Sequence, residues 1–240
     1  GEEHPINPIR SYALVQRLEE LEQLGACKID TEWNRQSHIL RTKWEKCALE
    51  MQPELVDSRK TEHSELWESE LTMFGATHYL TETLIRESLV DGKIGVYFNP
   101  AGGENNQHED VAVVSDLAWA CKRLQMSGMR VAYIDWDAHH CTDVESLLVG
   151  TGILVSSVHS EASVGQTELS HNDNDIINYE MPATSTDEDL ISAVGTIVDT
   201  IEEMGGVDVI VLNIGADGLE EDESSDLRWT QKGYYLAAQI

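Results

Sequence analysis

The sequence predicts an α/β protein with a parallel, doubly wound sheet covered by helices on both faces, a three-layer arrangement. Short apolar runs typical of buried strands alternate along the chain with longer segments of helical periodicity. Two of these runs, Arg130–Ile134 and Val207–Ile214, lead into aspartates. Ligands of open α/β sheets bind at the carboxyl ends of the strands, so these aspartates predict a site. For 240 residues, one domain over residues 1–240 is the simplest expectation.

The first half of the chain is predicted to be mainly helical. Asn7 as cap and Gly25 as terminator define a helix over 8–24 with an apolar stripe. The charged, Trp-containing stretch 30–72 has no clean period and predicts loop and short helix. The elements expected after it are a helix over 77–90, a strand over 93–98 and the turn Pro100-Ala101-Gly102-Gly103.

The second half alternates strands and helices more regularly. Thr186 is the expected cap of its longest helix, which has acidic residues in the first turn, where the helix dipole favours them. The predicted elements are helix 114–126, strand 130–135, helix 143–149, strand 152–158, helix 187–204, a strand ending at Asp217, and a helix over 231–240.

The charge balance excludes some classes of function. With 44 acidic and 16 basic side chains, the net charge is -28, and no basic stripe exists to replace the counterions of a nucleic acid. No apolar stretch has membrane-spanning length, and no signal peptide is visible, so we expect a cytoplasmic protein. The four cysteines show no C-x-x-C spacing, which favours a reducing compartment. The acidity fits either an ordinary solvated surface or a high-salt cytoplasm.

The segment Asp135-Trp136-Asp137-Ala138-His139-His140 is the most informative part of the chain. It brings carboxylates and imidazoles to the end of a predicted strand, and both groups are metal ligands. A neighbouring strand would add Asp217. Three protein ligands with one open position are the arrangement of a catalytic zinc site.

Several motifs occur together in a characteristic order. They are His4-Pro5-Ile6-Asn7-Pro8-Ile9-Arg10, Asn99-Pro100-Ala101-Gly102-Gly103, the 135–140 segment, Ser156-Ser157-Val158-His159, and Gly215-Ala216-Asp217 followed by Lys232-Gly233-Tyr234. In this order and spacing the chain resembles the zinc-dependent histone deacetylase and acetoin-utilisation superfamily, which has the arginase/deacetylase-like α/β fold.

The resemblance implies a function and two metal sites. Asp137, His139 and Asp217 would bind zinc. Asp135 would form a structural potassium site with Ser157, Val158 and the backbone carbonyls of Asp137 and His139. The implied reaction is hydrolysis of an acetyl-amide, with acetyl-lysine or acetyl-polyamine-type molecules as substrates.

The chain departs from this family at the proton-transfer positions. Two histidines are expected after the Pro-x-Gly-Gly turn, and Asn105 and Asn106 stand there instead. An amide exchanges no proton near neutral pH, so it cannot act as general acid or base. His108, Glu109 and His140 are the remaining candidates for proton transfer.

The family's transition-state tyrosine has no counterpart before Ile240, which suggests that the C-terminal part of the family domain is lacking. Two functions therefore stay open: a diverged or impaired deacetylase, and a catalytically silent relative that binds a metal or a partner. A two-manganese arginase-type site is less well supported, because Cys141 occupies the position of a required aspartate.

We predict that the melting temperature rises with KCl concentration. A net charge of -28 causes self-repulsion, and salt screens it with a Debye length of about 10 Å at 0.1 M. Thermal unfolding from low salt to about 1 M KCl tests this. A flat or falling curve would contradict the high-salt interpretation of the acidic surface.

Overall fold

The computed structural model describes residues 8–25, 42–50, 64–87, 95, 115–163, 175–223 and 225–240. The chain divides into two compact units, Gly1–Asp116 and Leu117–Ile240. None of the described helices is long and apolar enough to cross a bilayer.

The described part of the first unit is helical, with α1 at Pro8–Gln23, α2 at 42–50 and α3 at Ser64–Arg86. The prediction of a helix starting at residue 77 was wrong, because α3 begins 13 residues earlier. Trp67, Leu71 and Phe74 are buried at the i, i+4 and i+7 spacing of one helix face. The charged residues between them obscured this period. The predicted strand and turn over 93–103 lie outside the described residues except for Gly95, which is in neither helix nor strand.

The second unit has the predicted alternation of strands and helices. Its elements are α4 (Asp116–Met126, starting at the unit boundary), β1 (Val131–Asp135), α5 (Thr142–Leu148), β2 (Leu154–Ser160), β3 (Ile176–Met181), α6 (Asp187–Glu203), β4 (Val209–Asn213) and α7 (Gln231–Ala237). The helices and strands predicted between residues 114 and 240 all occur here, with ends shifted by a few residues. The predicted α/β class is therefore confirmed.

The four described strands form one parallel sheet in the order β3-β2-β1-β4. The chain runs outward from β1 to β3 and then returns to the other side of β1. This reversal makes the β1–β4 boundary the switch point of a doubly wound sheet, where ligands bind beyond the carboxyl ends of the strands.

Strand β3 was missed from the sequence. Three of its central residues, Asn178, Tyr179 and Glu180, are polar or amphipathic and only partly buried or exposed. Within the described sheet, β3 lies at one edge and pairs only with β2. An edge strand buries less apolar surface than a central strand, so it leaves a weaker pattern in the sequence.

The apolar core lies between the sheet and helix α6. Leu190, Val194, Ile197 and Ile201 form the buried stripe of α6 and pack with residues of β1 and β2. The N-terminus of α6 is fixed by a capping interaction in which Thr186 N donates to Asp189 Oδ2 over 2.7 Å. This packing covers one face of the described sheet, in which β1 lies between β2 and β4.

Candidate metal site

The site lies where the chain leaves β1 and β4. The two strands pair in register down to Asp135 and Asn213, and Trp136 N then donates to Asn213 O over 3.1 Å. The segments that follow β1 and β4 therefore leave the sheet side by side. Asp137 follows β1 by two residues, and Asp217 follows β4 by four.

His139 joins the two carboxylates. Its Nδ1 lies 2.6 Å from Asp217 Oδ2 and 3.2 Å from Asp137 Oδ1. Backbone amides hold the same carboxylates: Ala138 N donates to Asp217 Oδ1 over 2.9 Å, and His139 N donates to Asp137 Oδ1 over 2.8 Å. Asp137 N in turn donates to Asp135 Oδ1 over 2.8 Å. These bonds fix the direction of each carboxylate.

Gly215 is required by the close approach of the two segments. A Cβ atom at this position would overlap Asp137 Oδ2 and would lie 2.7 Å from Asp137 Cγ. Such distances are shorter than any contact that a real Cβ makes, so one of the two segments would have to move. The glycine of Gly215-Ala216-Asp217 thus makes room for Asp137.

The three charges perturb one another. Hydrogen bonds to Asp137 and then Asp217 raise the pKa of His139 to about 10. Burial raises the pKa of Asp137 to about 7, against the hydrogen bond from His139. For Asp217 burial acts upward as well, but the hydrogen bonds from His139 and Ala138 outweigh it and lower the pKa. At neutral pH the imidazolium therefore faces an ionised Asp217 and a partly ionised Asp137.

This arrangement fits a divalent cation. Asp137, His139 and Asp217 each offer one ligand atom, and these atoms all lie within 4.8 Å of one another. Within the described ranges this is the one such group of three acidic, histidine or cysteine residues. The side chains keep 19–34% of their surface exposed, which leaves an open side, as in catalytic zinc sites.

Asp135 lies directly beneath these residues and is fully buried. Its carboxylate accepts hydrogen bonds from Tyr133 Oη, from Asp137 N, and from Asn213 Nδ2 over 3.1 Å. In the β1–β2 register its partner is Ser157, also fully buried, whose Oγ lies 2.7 Å from His159 Nδ1. The strand pairing thus brings together two residues of the predicted potassium site, and Val158 follows in β2.

His140 lies in a buried polar cluster next to the site. Its Nε2 is 2.7 Å from Glu145 Oε2, and its ring stacks on His159 with 4.3 Å between centroids. Asn178 Nδ2 donates to Glu145 Oε1 over 3.2 Å. Burial, followed by the charge of His140, lowers the pKa of His159 to about 3, so its ring is neutral at pH 7. The catalytic assignment of His140 remains a prediction.

The sequence did not single out Glu145, Asn178 or Asn213. Asn213 carried a usable signal, because it is a polar residue at the end of an apolar strand. The other two carried none, since they acquire their roles only through tertiary contacts. Asn105, Asn106, His108 and Glu109 lie outside the described residues.

Comparison with known proteins shows the family to which the chain belongs. The family model described as "Histone deacetylase domain" matches residues 4–240. The chain belongs to the histone deacetylase domain family. The resemblance inferred from the motifs is thereby confirmed. No curated protein matches the chain.

Solved structures match this family member at the level of the fold. An acetylpolyamine aminohydrolase from Burkholderia pseudomallei is 19% identical, with a TM-score of 0.56, and the match covers 70% of this chain and 52% of that one. An HDAC homologue from Aquifex aeolicus is 21% identical, with a TM-score of 0.58 and coverage of 72% and 49%. An HDAC homologue complexed with SAHA is 20% identical, with a TM-score of 0.59 and coverage of 72% and 48%. The chain therefore spans about half the length of these structures.

We predict that Gly215→Ala weakens metal binding. The new methyl group would displace Asp137, and changes next to metal ligands typically cost about 10–100-fold in affinity. Titration with Zn²⁺ against a chromophoric chelator gives the dissociation constant.

Gly195→Ala is the matched control for this substitution. Gly195 lies within α6 and has no atom within 4 Å of its would-be Cβ. We expect unchanged metal affinity and a slightly more stable helix, by about 0.5–1 kcal/mol. Equal affinities for Gly215→Ala and wild type would contradict the packing argument.

We predict that metal binding releases protons in a pH-dependent number. Binding requires deprotonated ligands, and the pKa values of His139 and Asp137 are about 10 and about 7 before binding. About two protons per ion should leave at pH 6 and about one at pH 8, and affinity should rise with pH. Calorimetry in buffers of different ionisation enthalpy measures the number. Proton release that is constant over this range would contradict the assignment of these ligands.

Proposed function

We propose that this protein is a metal-dependent amidohydrolase of the histone deacetylase family, impaired in proton transfer, with acetyl-lysine or acetylated polyamine-type amines as substrates. The observation that carries the proposal is the convergence of Asp137, His139 and Asp217 within 4.8 Å in a chain that matches the family over residues 4–240. A soluble cytoplasmic location is part of the proposal and follows from the sequence expectations above.

Zinc is the proposed ion at this site. Two carboxylate oxygens and one imidazole nitrogen are ligands that zinc accepts, and three protein ligands suit a catalytic rather than a structural ion. When bound, zinc would polarise the acetyl carbonyl and acidify its water. The chain's own residues then have two tasks, which are to hold the ion and to move protons.

The first task is supported by the described contacts. The amides of Ala138 and His139 donate to Asp217 and Asp137 and keep these carboxylates aimed at a common point. Potassium is proposed at Asp135, Ser157 and Val158, with the carbonyls of Asp137 and His139. The pairing of Asp135 with Ser157 across β1 and β2 supports that second site.

The second task, proton transfer, is the one for which the expected residues are missing. Asn105 and Asn106 stand where the family has its proton-transferring histidines, and general acid–base assistance typically contributes about 10²–10⁴-fold. The same substitutions favour the alternative function, a catalytically silent relative that retains the metal site for binding. An impaired deacetylase and a silent relative would both bind the metal. Only the impaired deacetylase would hydrolyse an acetyl-amide.

We predict that purified protein carries about one divalent ion per chain and that Asp217→Ala loses it, because two protein ligands rarely hold zinc well. Elemental analysis measures the content. Asp226→Ala is the control, since Asp226 belongs to the same loop but bonds to Ser160 Oγ over 2.6 Å. Equal metal in Asp217→Ala and wild type would rule out this ligand set.

We predict that the double substitution Asn105→His and Asn106→His raises turnover of an acetyl-lysine peptide in the presence of zinc, by up to about 10²–10⁴-fold. The same pair in an Asp217→Ala background should stay inactive. Wild-type turnover of about 1 per second or more would contradict the impairment and turn attention to His108, Glu109 and His140. Absence of turnover in every variant, with metal bound, would favour the silent relative.

A further inference from the structure

Tyr234 carries a buried hydroxyl group next to the candidate metal site. The residue lies in α7, and its Oη is buried with no hydrogen bond of good geometry among the described residues, although it interacts with the backbone of Gly218. A buried hydroxyl without a well-formed hydrogen bond is less stable than a satisfied one. Such groups in native proteins call for an explanation.

The hydroxyl lies against the metal-binding loop. A Cβ atom on Gly218, the residue after Asp217, would lie 2.7 Å from Tyr234 Oη and 2.5 Å from Trp229 Cε3. The backbone at Gly218 is therefore in direct contact with both aromatic side chains. Any shift of Tyr234 changes the space available to the peptide that follows Asp217.

Hydrogen bonds at the start of helix α7 and packing of its side chains hold Tyr234 in one position against Gly218. Thr230, its N-cap, donates to Asp187 twice, from N and from Oγ1, each over 2.7 Å. The Tyr234 ring packs edge-on against Trp229, with 5.8 Å between centroids, and Trp229 N donates to Gly218 O over 3.2 Å. The ring, the indole and the glycine thus form one packed unit.

The electrostatics favour a neutral hydroxyl. Burial, followed by the negative charges of Asp217 and Asp137, raises the pKa of Tyr234. The hydroxyl therefore keeps its proton at physiological pH and can serve as a hydrogen-bond donor.

We propose that Tyr234 is a positioning residue of the metal site, whose hydroxyl supports the Asp217–Gly218 segment and so holds the Asp217 carboxylate in place for the ion. The inference rests on the metal site of the proposed function. It assigns Tyr234 no contact with the substrate and no share in proton transfer.

The test compares Tyr234→Phe with Tyr235→Phe. Phenylalanine keeps the ring and its contact with Trp229 and removes only the hydroxyl. Tyr235 is the adjacent tyrosine with 63% of its surface exposed, so its hydroxyl serves as the matched control. The measurements are the Zn²⁺ dissociation constant, the visible absorption spectrum of the Co²⁺-loaded protein, and the melting temperature in EDTA.

We expect Tyr234→Phe to weaken Zn²⁺ binding by about tenfold or more and to alter the Co²⁺ spectrum, with Tyr235→Phe unchanged in both. The melting temperature in EDTA should change little, because the interaction of the hydroxyl with the Gly218 backbone lacks good hydrogen-bond geometry in the described structure. A role in folding alone would give the opposite pattern, with a lower melting temperature and unchanged affinity for the folded protein.

Each outcome decides the proposal. A Zn²⁺ dissociation constant for Tyr234→Phe within about twofold of wild type would overturn it, and so would loss of metal that only accompanies unfolding. Wild-type protein that binds no metal would overturn both this inference and the proposed function. Wild-type protein that binds metal but hydrolyses no acetyl-amide would refute the enzyme and leave the role of Tyr234 standing.

Discussion

The site depends on placing two carboxylates side by side at the β1–β4 switch point. Asp137 and Asp217 would repel each other there without compensation. His139 offsets the repulsion, with Nδ1 within 3.2 Å of an oxygen of each carboxylate. Ala138 N donates to the other oxygen of Asp217, whereas His139 N donates to the same Asp137 oxygen that the imidazole approaches. Gly215 removes the steric obstacle to the approach of Asp137. Charge, hydrogen bonding and packing each have to be satisfied for the three ligand atoms to converge.

The polar interior behind the site follows from strand alternation. Successive β1 side chains face opposite sides of the sheet, so Ala132 and Ile134 enter the α6 core while Tyr133 and Asp135 face the other way. The carboxylate of Asp135 is bonded to a hydroxyl, an amide and a backbone N–H. A buried charge with this many partners specifies one arrangement of its neighbours. The loop that follows Asp135 therefore starts from a fixed position.

The sequence predicted the elements with strong local signals and missed those whose signal is tertiary. The α6 stripe and the strand-end aspartates were readable because apolar periodicity and polar strand ends are local patterns. Asp137, His139 and Asp217 lie close together in the structure, and their role as metal ligands remains a prediction. Strand β3 was missed because its burial is incomplete at the edge of the described sheet. The hydroxyl of Tyr234 was not recognised because its contact with Gly218 joins positions 16 residues apart.

The candidate metal ligands and the positions where the family resemblance places proton transfer lie in different parts of the sequence, so one set could be kept while the other changes. All three ligand residues and the amides that orient them lie between residues 137 and 217, within the second compact unit. Asn105 and Asn106 precede that unit in the sequence. An amide at these two positions has no proton to exchange near neutral pH. A chain with such a division can retain a well-ordered metal site while its capacity for acid–base chemistry changes.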